Sequence, residues 1–123
     1  MSKSIKVIIV EPGKAPRIAE IEGTLESMQK VVGGYIEAVY PYEEPVAIIC
    51  NEEAKLEGLP LNRALRDEDG DIYDIVAGTF FLAGLTEDDF GSVPEEYIDK
   101  FVDLFATPEV FIRSHGKIVV MPM

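Results

Sequence analysis

The chain has one cysteine, one histidine, no tryptophan and only 11 lysines and arginines among 123 residues. Each scarcity removes a class of chemistry. A single cysteine leaves no internal disulfide, and at this length none is needed, since a domain of such size buries roughly two-thirds of the surface its unfolded chain exposes. Cys50 closes the apolar run Val46-Ala47-Ile48-Ile49-Cys50, which suits a buried thiol better than a reactive one in an exposed, electropositive setting. A lone histidine, His115, leaves no histidine pair and no His-rich metal set, and its place before Gly116 suits a turn better than a general base. No apolar run approaches the ~20 residues of a membrane helix, and no charged segment followed by an apolar core opens the sequence. A soluble, cytoplasmic protein of one domain, residues 1–123, is expected.

The shortage of cations is uneven. The net charge is -12, and residues 37–109 hold 19 of the 23 carboxylates against Lys55, Arg63, Arg66 and Lys100. Both flanks are slightly positive. A field of that sign repels phosphate backbones and anionic lipid, which argues against direct nucleic-acid binding and membrane-surface binding alike. Basic proteins or cations are what it attracts. The same charge also fits a plain solvated surface.

Periodicity and punctuation give the elements. Ile5 to Val10 is β-branched and ends at Glu11-Pro12-Gly13, and Arg17 to Ile21 alternates polar with apolar, so the two predict a hairpin. Thr24 suits an N-cap for a short helix, 24–32, with Leu25, Met28 and Val32 on one face and Gly33 as its stop. Tyr35 to Tyr40 and Val46 to Cys50 predict a second hairpin, the latter strand covered on both faces. Asn51 to Arg66 reads as an elaborated loop with a helical stretch, Leu61 to Leu65, started by Pro60. Ile72 to Ala77 and Thr79 to Ala83, separated by Gly78, give one bent strand or two short ones. Ser92-Val93-Pro94-Glu95 has the pattern of a capping box for a long amphipathic helix, 94–105, and a terminal hairpin turns at Ser114-His115-Gly116. Strands in consecutive pairs with few helices predict an α+β fold with a mainly antiparallel sheet.

Motifs that would name a reaction are missing. Asp67-Glu68-Asp69-Gly70-Asp71 places Ile72 and Gly78 where an EF-hand needs glycine and glutamate, so it reads as a charged turn and no metal is assigned. Gly33-Gly34 follows a helix instead of opening one, the reverse of a phosphate cradle. Adjacent carboxylate pairs such as Glu43-Glu44 and Glu52-Glu53 do not predict the separation glycoside hydrolysis requires. No catalytic residue and no cofactor is assigned, and the reading leans away from an enzyme. Asn51, Asn62 and Arg63 flank the elaborated loop, where binding groups tend to sit, although each also has a local structural use.

The succession Val32-Gly33-Gly34-Tyr35-Ile36-Glu37, Asn51-Glu52-Glu53-Ala54-Lys55-Leu56, Gly58-Leu59-Pro60-Leu61-Asn62-Arg63 and Asp74-Ile75-Val76-Ala77-Gly78-Thr79 resembles a family of small proteins of unknown function from phages, plasmids and conjugative elements of Gram-positive bacteria. The resemblance runs from Ile5 to about Pro108 and departs from the family's glycine at Ala54. It implies a bacterial or phage cytoplasm and mobile DNA, and transfers no catalytic residue. Two functions follow as expectations. One is a non-enzymatic interaction protein, such as a counter-defence factor, whose acidic middle binds a basic host surface. The other is a small-ligand module in which Gly33, Gly34, Asn51, Glu52, Glu53, Asn62 and Arg63 converge on a pocket.

Overall fold

The computed structural model describes residues 3–123, which form ten strands and two helices. Strands β1 (Ser4–Val10) and β2 (Arg17–Glu22) make the first hairpin, in register from Ser4 opposite Glu22 to Ile9 opposite Arg17. Helix α1 (Leu25–Val32) starts where the Thr24 hydroxyl accepts the Ser27 amide and stops where Gly33, at φ 79°, donates to the Gln29 carbonyl. Strands β3 (Ile36–Val39) and β4 (Val46–Asn51) follow, then β5 (Leu61–Arg66), β6 (Ile72–Ala77), β7 (Phe80–Leu85) and β8 (Phe90–Gly91). Helix α2 (Glu95–Leu104) leads to the terminal hairpin β9 (Glu109–Ser114) and β10 (Lys117–Pro122). Every pairing is antiparallel, and the architecture is α+β.

The main sheet has the order β2-β1-β7-β4-β3, with β8 on β7, so its two central strands come from the middle of the chain. Their side chains alternate between two apolar layers. Val46, Ile48, Cys50, Phe80 and Leu82 face the layer containing Ile98, Phe101 and Phe105 of the α2 region and Leu65 and Val76 of β5 and β6. Ala47, Ile49, Phe81 and Ala83 face the other, closed by Met28 and Val32 of α1. Period two thus serves two cores at once. Burying each large side chain contributes about 1.5–3 kcal/mol.

Two sequence expectations are corrected. Leu61 to Leu65 is not helical but the strand β5, paired with β6 through two register irregularities. A five-residue helix forms barely one hydrogen-bonded turn, whereas the ladder to β6 satisfies the same backbone groups and lets Leu65 enter the core. The intervening Asp67 to Asp71 is therefore a hairpin turn, closed by the Asp67 amide on the Asp71 carbonyl. Helix α2 spans ten residues, shorter than the 94–105 expected, and no capping box forms. Pro94 is the N-cap, which leaves Ser92 two residues too early to cap the helix, and the Ser92 hydroxyl accepts the Lys6 amide at 2.9 Å instead. Of the two readings of 72–83, one bent strand or two short ones, the structure has the second: β6 and β7 belong to different sheets, parted at Gly78, whose φ is 73° and whose amide donates to the Pro60 carbonyl.

Candidate functional site

The residues singled out in the sequence fall into two separate places. Asn51, at the end of β4, is buried beneath Gly34. Its amide nitrogen donates to the Val32 carbonyl at 3.3 Å and to Glu57 at 3.2 Å, and its oxygen accepts the Glu53 amide at 2.8 Å. It pins the end of α1 to the loop after β4. A Cβ on Gly34 would lie 2.9 Å from the Asn51 amide nitrogen, which is why glycine is needed there, while the space beside Gly33 is open and its glycine serves the positive φ. Glu52 and Glu53 are exposed. A cleft of about 260 Å³ at this corner is lined by Gln29, Gly34, Tyr35, Asn51, Glu53 and Glu57. Ala54 needs no positive φ, and the loop turns at Gly58 instead, at φ 71°.

Asn62 and Arg63 do not line that cleft. Asn62 is fully buried, donating to the Val10 and Gly78 carbonyls at 2.9 Å each and accepting from Arg63 at 2.8 Å. Arg63 is 1% exposed. Its guanidinium donates to the Phe105 carbonyl at 3.0 and 3.3 Å, to the Lys14 carbonyl at 2.7 Å and to the Asn62 carbonyl at 3.2 Å. Burial lowers its pKa, a pull the Glu109 charge opposes. Among the described residues no carboxylate forms an ion pair with it, and no buried side-chain nitrogen or oxygen lacks a partner. These two side chains are occupied by the protein itself.

What the sequence does not bring together, the fold does. The turn before β4 and the β5–β6 turn flank one open trough of about 650 Å³, lined by Glu43, Glu44, Asp67, Glu68 and Asp69, with Tyr42 and Tyr73 as its aromatic walls. Lys100 and Arg66 also line it, but Lys100 pairs with Glu44 and Arg66 with Glu109 at 2.7 Å. The Lys100 bond holds the Glu44 carboxyl below its ordinary pKa. Tyr42 stacks at a tilt on Phe101, 4.8 Å between ring centres, and burial pushes its phenol well above the usual value, aided by Tyr73 and Glu44. Tyr73 stays 56% exposed. Asp67, Asp69 and Asp71 bring carboxylate oxygens within 4.8 Å of one another, yet one Asp67 oxygen already accepts the Asp69 and Asp71 amides to shape the turn. The acidic pairs were visible in the sequence; their convergence across the gap from 44 to 67 depends on β5 being a strand.

Cys50 borders a smaller cavity of about 130 Å³ with Glu37 and Asp74. Burial, then the charges of Glu37 and Asp74, push its thiol up to about 11. No helix of the described residues is long and apolar enough to cross a membrane.

Residues 5–106 match the family described as a domain of unknown function, DUF3846, and the chain belongs to that family. No curated protein and no solved structure matches it.

Proposed function

We propose that this member of a family without an assigned role is a non-enzymatic interaction protein whose acidic trough binds a basic protein surface. One observation carries the reading: two acidic turns from distant parts of the chain meet around Tyr42 and Tyr73, giving negative charge and aromatic contact in one place. Aromatic side chains supply contact area at protein interfaces, and the charge steers association and selects the partner. The resemblance to proteins of phages and mobile elements favours a host protein that otherwise holds nucleic acid, and hence a counter-defence role in the bacterial cytoplasm. A small-ligand reading keeps only the Gly34 and Asn51 corner, because Asn62 and Arg63 spend their hydrogen bonds inside the protein.

Affinity capture from a host lysate with mass spectrometry, run at low and at high salt, tests the proposal. The expected result is a basic partner retained at low salt and released as salt shortens the Debye length below about 10 Å. Recovery of no basic protein at low salt would count against the reading, as would a partner indifferent to salt.

A further inference from the structure

We propose that the trough between the β5–β6 hairpin and the terminal β9–β10 hairpin binds a small amphipathic carboxylate, an apolar chain or ring ending in one anionic group. Its volume of about 520 Å³ falls within the roughly 300–1,000 Å³ of small-molecule sites. One wall is Leu59, Ile72 and Ile75, and the facing wall is Ile118. Ile72 and Ile118 remain exposed although they are large and apolar. Arg113 lies directly across from Ile118 on the paired strand, so both side chains leave the hairpin on the same face, and both line the trough.

Charge selects the end group. Arg17 and Arg66 hold carboxylates and Arg63 is buried, so among the described residues Arg113 is the one exposed arginine without an ion-pair partner. The other two charges in the trough, Lys55 and Asp74, neutralise each other at 3.0 Å. What remains is one guanidinium beside an apolar wall. A carboxylate can take two parallel hydrogen bonds from it while its apolar body covers Ile72 and Ile118. The Arg113 wall lies beyond residues 5–106 matched by the family, so this site is assembled from the shared fold and a further segment. It does not rest on the acidic-trough reading.

The test is a calorimetric titration of the full chain with decanoate, below its micelle-forming concentration, and with decanol, which shares the chain and lacks the charge. Decanoate is expected to bind about tenfold or more tightly than decanol. R113Q should erase that preference, whereas K117Q, on the opposite face of the hairpin across from Ser114, should leave it intact. I118D, which sets a carboxylate across from Arg113, should weaken decanoate independently of whether R113Q folds normally. Equal binding of the two ligands, binding of neither, or a decanoate preference that survives in both R113Q and I118D overturns the proposal.

Discussion

Arg63 holds a charged guanidinium where water does not reach, and its stability rests on backbone oxygens in place of a carboxylate. Removing it strands the Phe105 and Lys14 carbonyls and the Asn62 side chain together. Arg63→Ala is therefore expected to cost on the order of 3 kcal/mol or more, and Asn62→Ala about 2 kcal/mol, read as a lower urea midpoint. If either residue instead held a ligand, a metabolite screen would raise the melting temperature of the parent and not of the variant. Lysine does not replace Arg63, because one ammonium cannot span carbonyls from separate segments. Cys50 makes a different prediction. With its thiol pushed up to about 11 from an ordinary 9.0, it stays protonated and unreactive at neutral pH. Iodoacetamide should label it only in denaturant, as mass spectrometry would show. Its folded pKa is raised, so its contribution to stability is full below pH 9 and is lost as pH rises towards 11. Cys50→Ala should flatten that part of the stability curve.

Where β7 meets β8, a Cβ on Gly84 would fall 2.0 Å from the Ser92 carbonyl oxygen, a backbone atom that cannot swing aside. Gly84→Ala must force β8 away from β7, and a loss of at least ~2 kcal/mol is expected in thermal or urea unfolding. A variant as stable as the parent would show that this edge moves freely. Such close approaches are invisible in sequence, and so was β5. Helix α1 and strand β4 were legible because their signals are local: a Thr24 cap, a Gly33 stop and an unbroken apolar run. Pro60 before Leu61 to Leu65 gave a local signal of the wrong kind, which the ladder to β6 overrode. Without that strand, Asn62 and Arg63 look like loop residues open to ligands, and the acidic turns look unrelated. The terminal hairpin was legible from its turn, where His115 at φ 51° and Gly116 at φ 76° supply the left-handed pair a two-residue connection needs.

Taken together, the charge of -12 is an unevenly distributed surface property with a focus at the trough of Glu43, Glu68 and their neighbours. Glu43→Lys combined with Glu68→Lys reverses exposed charges that take part in none of the ion pairs of the described residues. Stability should stay within about 0.5 kcal/mol of the parent, while capture of a basic partner should be lost or its salt dependence flattened. Retention of the same partner with the same salt response would place the interface elsewhere. The buried guanidinium has a larger consequence than its own stability. Lys14 lies in the turn between β1 and β2, Phe105 at the end of α2, and Arg63 in β5, so one side chain joins three segments distant in sequence. None of them can fray without breaking bonds that hold the others. That corner opens as a single cooperative unit.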